Sequence, residues 1–491
     1  MILIVPPGAD PTLRLTEVPD GATVVDVGRR FVAELTRQAA RGALRTRSRA
    51  PGDRLMATAG TRALGDASRP RLHRLRGLGA VLGALHEPGH GVRLRLDDLE
   101  PADGSLESAA DVLRAAAAPA PYDGALAGAC ADVPRAAVVR LVVEREQQVP
   151  AAVALARALL PRARRLELTG RWATAHAPAL GHLPPFADAR LTPAPRGLAW
   201  ELADPFGPAP DDGLRWRERA ADPLPSGPWA GRVGLRELVG GVVPETAGAA
   251  VETSPRPDRH PRLAVIGVCA AADRAVGRGG TVLSWDRLAS AVGAARDRGT
   301  TVVAELWLGA PGIPPEAAEE ALARLEGAVD RVIGLRHFDW PADWAEPFWA
   351  SAPVTLGDAG PDLARRRPVL DPAPPSAERL TALAAALARP LARAGRLAPG
   401  RVAGAYLPPP GPHPDSVRGL DPDVVVGRRS ARADRALAVN LRTGACSYVS
   451  LRVADAIDRY RDGYTLREAL RPLSPRAVRA LRDGGVLGQV P

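Results

Sequence analysis

The chain reads as an α/β protein built mostly on parallel strands, followed by a small sheet-and-helix module. Three observations predict this class. Residues 281–335 alternate helix, strand, helix and strand at the spacing of crossover connections. Residues 1–192 repeat that alternation around short apolar runs. Residues 424–491 place short strands ahead of three short helices, the order of a small winged helix-turn-helix.

The elements follow in order. Met1 to Val5 is an apolar strand closed by Pro6-Pro7-Gly8. Residues 9–76 are rich in Arg and Pro and read as an inserted surface segment. Residues 77–97 (GLGAVLGALHEPGHGVRLRLD) give a helix, a turn containing His90 and an alternating strand. Residues 122–128 (YDGALAG) are expected to form the third strand. Val153, Ala156 and Leu160 share one helical face, and RLELTG (165–170) is the fourth strand with its Gly turn. This predicts a doubly wound, Rossmann-like sheet over 1–192.

Residues 193–230 are expected to be a Pro-rich linker and 231–406 a second α/β unit. Within that unit Ser284 caps a helix whose Leu288, Val292 and Ala295 face inward. TTVVAELWL (300–308) suits a strand buried on both faces. Pro315 and Glu316 open a helix carrying Ala318, Leu322 and Leu325, and 331–335 is the next strand. Asp339, Trp340, Asp343 and Trp344 read as solvated acids with half-buried Trp. Residues 376–397 form an Ala/Leu helix, and 407–423 a second linker.

In the last module, strands near 435–440 and 445–449 flank a turn at Leu441-Arg442-Thr443-Gly444. Ser450 caps a helix with Val453, Ala454, Ile457 and Tyr460 inward. Thr465 to Glu468 is a capping box, and Ser474-Pro475 opens a third helix stopped by Gly484-Gly485.

The 491 residues exceed one core, so about two to four domains are expected. All 65 basic residues are Arg, and the formal net charge is +10. Residues 361–491 hold 22 Arg against 12 acids and carry the whole excess, so this end should meet something acidic. Cys130, Cys269 and Cys446 are too far apart for a local metal knuckle or a disulfide framework, and read as reduced thiols. No apolar run spans a bilayer and no signal segment is evident, so a cytoplasmic location without membrane contact is expected. Nucleophile-elbow, P-loop and zinc-peptidase motifs are absent.

Three resemblances add to this. The apolar strand ending in Pro-Pro, followed by GLGAVLGAL and Gly-His-Gly-Val, resembles cobalamin-binding domains fused to radical S-adenosylmethionine (radical SAM) barrels. ELWLGAPGIPPEAAEEAL (305–322) resembles a late strand–turn–helix segment of those barrels. The resemblance implies a radical SAM-like partial (β/α) barrel over 231–406, and a corrin pocket bordered by Gly8, Gly170 and Thr174. The chemistry is missing, however. Where that family carries Cys-x-x-x-Cys-x-x-Cys, this chain has Val251-Glu252-Thr253-Ser254 and then Pro255 to His260 without cysteine. An iron–sulfur cluster is therefore expected to be absent. The Asp-x-His-x-x-Gly cobalt motif is also missing, and only Gly170 stands where two glycines are usual, so no cofactor is predicted and cobalamin should bind weakly if at all.

Residues 440–444, 450–457, 462–468 and 481–485 are similar to the PqqD-like recognition domains of ribosomally synthesised and post-translationally modified peptide (RiPP) pathways. The resemblance implies that a precursor's leader peptide adds as a strand beside Cys446, Ser447, Tyr448 and Val449, against a helix bearing Arg476, Arg479 and Arg482. The expectation is a non-catalytic accessory protein, a radical SAM pseudoenzyme that binds a leader and presents it to an active maturation enzyme. Two alternatives stand beside it: a cluster-free cobalamin- or S-adenosylmethionine-dependent methyltransferase, and a winged-helix DNA-binding regulator. Nucleic acid is disfavoured because the last helix is short and offers no Asn or Gln to base edges.

Overall fold

A computed structural model describes all residues except 17, 46–50, 193–197, 208–209, 220–221, 223, 226, 241–259, 278–280, 311, 339–359, 365–374, 394–395, 408–420, 422, 429–434, 462–469, 472 and 484–491. The expected cluster at 339–344, the lead-in at 251–259 and the capping box at 465–468 lie outside the described residues. Mixed α/β architecture with parallel sheets is present, as the sequence predicts.

The N-terminal part runs β1 (Ile2–Val5), β2 (Leu13–Leu15), β3 (Thr23–Asp26), α1 (Val27–Ala40), α2 (Pro51–Gly65), α3 (Arg71–Ala84), β4 (Val92–Leu94), β5 (Leu99–Pro101), α4 (Ala109–Ala117), α5 (Asp123–Asp132), β6 (Val138–Val142), α6 (Val149–Leu159), β7 (Arg165–Thr169), α7 (Arg171–Ala175), α8 (Pro184–Ala187) and β8 (Arg190–Leu191). A parallel sheet forms in the order β3-β1-β6-β7-β8. Three expectations need correction. The segment 9–76 is not a loose insertion: it supplies β2, β3, α1, α2 and the start of α3. YDGALAG is the start of α5, because a stretch of Ala and Gly without β-branched residues gains little from a pleated ladder. The strand after Gly-His-Gly, β4, pairs only with β5 and stays out of the main sheet.

The middle part runs β9 (Trp200–Ala203), β10 (Pro210–Arg217), β11 (Trp229–Arg232), α9 (Leu235–Gly240), β12 (Leu263–Cys269), β13 (Ala275–Gly277), β14 (Val282–Leu283), α10 (Trp285–Asp297), β15 (Thr301–Leu308), α11 (Ala318–Ala328), β16 (Arg331–His337), α12 (Ala377–Arg393) and α13 (Ala403–Tyr406). Its sheet is open among the described residues, in the order β2-β9-β10-β11-β12-β15-β16, with β13–β14 branching from the end of β12. Residues 193–230 therefore do not merely link: they contribute β9, β10 and β11. Pro and Gly mark the turns there, while Leu214 and Trp216 alternate into the core. β10 to β12, β15 and β16 run parallel, and Ser284 accepts from the Arg287 amide at 3.2 Å to start α10.

The two sheets share an inner face. In β1, Ile2 and Ile4 face the helices, whereas Leu3 and Val5 meet Trp216, Leu263, Val303 and Ile333 from the second sheet. β2 joins the sheets covalently, because it leaves β1 and pairs with β9. The outer face of the second sheet packs on α9 to α12, with Leu288, Leu325 and Leu387 buried. Among the described residues no helix is long and apolar enough to cross a membrane.

The C-terminal part has β17 (Val424–Arg428), β18 (Arg435–Asn440) and β19 (Cys446–Ser450) in an antiparallel sheet, followed by α14 (Leu451–Arg461) and α15 (Pro475–Asp483). One sheet face packs on α14 and α15 through Val424, Ala436, Val449, Ile457 and Leu481. The other packs on α2, where Val425, Val439 and Leu441 meet Ala59 and Ala63. The region 407–423, expected as linker throughout, ends in two buried acids, Asp421 and Asp423.

Candidate functional site

Two places came out of the sequence: a crevice at the strand ends of the first sheet, and the edge of the C-terminal sheet. In the first sheet the chain moves from β1 outward to β3 on one side and to β6 on the other. The gap between the loops after β1 and β6 is thus the switch point where open α/β sheets take ligands.

Here the chain fills that gap itself. Gln148 is fully buried, and its side-chain amide donates to the Pro6 and Val142 carbonyls, both at 3.2 Å. Its oxygen accepts from the Glu144 amide at 2.7 Å and the Arg145 amide at 3.1 Å, so its hydrogen-bonding capacity is used up. Gly8 and Gly170 do adopt left-handed φ, +93° and +107°. What they approach is not a ligand. A Cβ on Gly8 would stand 2.5 Å from the Gln147 carbonyl oxygen, and one on Gly170 would collide with the Val143 carbonyl. Thr174 returns its hydroxyl to the Gly170 carbonyl at 2.8 Å. Of the three residues expected to border a corrin pocket, Gly8 and Gly170 are thus packed against backbone around β6 and the loop after it, while Thr174 is exposed and turns its hydroxyl back on its own helix. Cys269 and Cys130 are buried and Cys446 is exposed, and none of the three is in a disulfide. Among the described residues no three His, Cys, Asp or Glu side chains converge as metal ligands would.

Outside the plug, the interface between the sheets turns from apolar to charged. Glu305, fully buried in the middle of β15, takes Arg232 at 2.7 Å, the Arg336 guanidinium, and the Tyr406 hydroxyl at 3.0 Å. Arg336 also donates to that hydroxyl at 2.8 Å. Nearby, Arg145 reaches Glu218 at 3.0 Å, and Arg171 joins Glu144 at 3.3 Å to Asp222 at 2.9 Å. Burial pushes the Glu305 carboxyl up, but Arg232 and Arg336 outweigh it and hold it at about 2. Burial likewise opposes, and Arg145 and Arg232 win, at Glu218, also at about 2. Such mutually paired groups tie Arg145 and Arg171 of the first sheet to Glu218 and Asp222 of the second. The network is a clamp. Sequence reading passed over it, although a lone carboxylate inside the apolar run TTVVAELWL was a signal that buried cations wait nearby.

The C-terminal edge differs. β19 pairs with β18 on one side, and Cys446, Ser447 and Tyr448 are exposed. Register decides which amides are available. Asn440 donates to the Ala445 carbonyl at 2.9 Å, so hydrogen bonds to β18 recur at Ser447 and Val449. The backbone groups of Cys446 and Tyr448 point the other way, to an edge that no described strand pairs. Of the four strand residues expected to meet a peptide, two face outward and two hold the ladder. Val449 also buries its side chain against α14, so its amide is not the contact. Arg476 and Arg479 are exposed on α15, which Ser474 caps by accepting from the Ala477 amide at 3.2 Å. The Arg482 side chain lies outside the described residues.

Asp423 fixes this module to α3. Its carboxylate, 1 % exposed, takes Arg76 at 2.6 and 2.8 Å and His73 Nδ1 at 2.5 Å. Burial pushes the carboxyl up, yet Arg76 and His73 hold it well below the usual carboxylate range. Asp421 binds the Asn440 side chain at 3.0 Å and the Arg442 guanidinium, and Arg62 of α2 donates to the Val426 carbonyl at 2.9 Å. No protein-family model matches this chain, and neither a curated protein nor a solved structure matches it.

Proposed function

We propose that the protein is a non-catalytic, peptide-binding accessory of RiPP biosynthesis. It holds a precursor's leader at the edge of the C-terminal sheet and presents it to a separate maturation enzyme. The observation that carries this reading is the edge of β19, which no described strand pairs, with the Cys446 and Tyr448 backbone groups outward on a sheet whose one face packs on the Arg-bearing helix α15. An unpaired strand edge is a template for another extended chain, and the local Arg excess favours an acidic one. In this reading the C-terminal module is a PqqD-like winged helix. The two α/β parts are a cobalamin-type Rossmann domain and a radical SAM-like barrel that have lost their chemistry. The plug at Gln148 and the charged clamp support that loss, since they use up the surfaces a cofactor would need.

The test uses the full-length chain, because an isolated module would expose Val425, Val439 and Leu441. A fluorescein-labelled synthetic leader from a precursor gene adjoining this one should bind with micromolar affinity, which several strand hydrogen bonds of about 0.5–1.5 kcal/mol each can supply. Tyr448→Pro removes an outward donor at an edge position that tolerates proline, and should weaken binding about tenfold or more. Arg479→Glu should weaken it too, and more at low salt. Steeply salt-dependent binding of duplex DNA, with no peptide binding, would replace this reading by the regulator.

A further inference from the structure

We infer that the peptide edge has a second reading surface, on the side of the sheet turned toward α2, that selects an apolar side chain at every other position of the bound segment. This rests on the peptide reading above and goes beyond it by naming the class of peptide.

Cross-strand partners in an antiparallel sheet point to the same side. Val425 pairs with Val439, Val439 with Cys446, and Leu437 with Tyr448, so all five side chains share one face. Helix α2 covers that face only in part. Val425 and Val439 are buried against Ala59 and Ala63, Leu437 is half-buried near Met56, and Tyr448 is 61 % exposed. A continuous apolar strip thus runs from under α2 to the sheet edge and ends in a bare aromatic ring. A two-torsion side chain such as Tyr offers large contact area at little entropic cost, which suits it to recognition.

The geometry of an added strand then divides its side chains into two sets. One set lies on the sheet face that packs on α14 and α15, the latter carrying exposed Arg476 and Arg479. The alternate set lies over Tyr448 and Leu437, beyond the rim of α2. The matching occupant is an extended segment with acidic residues toward α15 and apolar residues, two apart, toward Tyr448. Because Asp423, His73 and Arg76 hold the module against α3, α2 stays fixed beside this strip and forms its inner wall.

Selection of a displayed library of random peptides, about twelve residues long, on the full-length protein tests this. Enriched peptides should carry apolar residues at i, i+2 and i+4. Tyr448→Ala should weaken them about tenfold, Tyr448→Phe should restore them, and Tyr448→Pro should abolish them. If enriched peptides lack the alternation, or lose less than twofold with Tyr448→Ala while still failing on Tyr448→Pro, the second surface is overturned and the peptide reading stands. If nothing enriches, or binding survives Tyr448→Pro, the peptide reading itself falls.

Discussion

Replacing Glu305 by alanine is expected to destabilise the protein by about 3–5 kcal/mol, the cost of breaking a buried pair and leaving its partners uncompensated. Arg232 and Arg336 would then face each other without the carboxylate, and the Tyr406 hydroxyl would lose its acceptor. Urea unfolding at neutral pH measures this. The pH dependence gives a second readout. The folded-state proton affinity of Glu305 is depressed to about 2 from an ordinary 4.5. Its contribution, on the order of 3 kcal/mol, is therefore complete above pH 4.5 and fades as the pH falls from there toward 2. Glu218 acts in the same direction. The difference in urea midpoint between the wild type and Glu305→Gln should accordingly shrink between pH 5 and pH 3. A difference that stays constant with pH would mean that the ionisation of Glu305 is not what stabilises the fold.

Asp423→Ala should release the C-terminal sheet from α3. The change removes three charge-assisted hydrogen bonds at one buried carboxylate and strands Arg76, which is 8 % exposed, at a cost of about 3 kcal/mol or more. Limited proteolysis between α13 and β17 should become at least tenfold faster, while unfolding of the two larger sheets changes little. Asp423→Asn, which keeps the shape, should give an intermediate rate. Equal rates for all three proteins would show that the apolar contact of Val425, Val439 and Leu441 with α2 suffices for docking.

Much of the fold was legible where local signals agree. Residues 281–335 were read correctly because a Ser cap, a helical face of Leu288, Val292 and Ala295, and a run of β-branched residues all point one way. The failures have distinct physical causes. β2 is three residues long and its partner β9 lies nearly two hundred residues away, so nothing local reveals it. In 193–230 frequent Pro and Gly hid three strands whose alternation is carried by Trp200, Leu214 and Trp216. Gly8 and Gly170 were named as borders of a corrin pocket; both have left-handed backbone, and the close approach there is made by Gln147 and Val143 of the loop after β6. At the candidate site, the strands and the exposed Arg residues were visible in the sequence. Which amides face outward was not, because that parity follows from the hairpin bond between Asn440 and Ala445. Asp423 was missed because an acid just ahead of an apolar strand looks like a solvated linker residue until His73 and Arg76 arrive from 350 and 347 residues away.

Amide hydrogen exchange at β19, read residue by residue with and without the labelled leader, tests the central claim most directly. Free protein should exchange the Cys446 and Tyr448 amides quickly and the Ser447 and Val449 amides slowly, since only the latter pair are bonded to β18. Bound leader should slow Cys446 and Tyr448 by at least tenfold and leave Ser447 and Val449 unchanged. Protection confined to α15, or no change at Cys446 and Tyr448 under saturating peptide, would contradict strand addition at this edge.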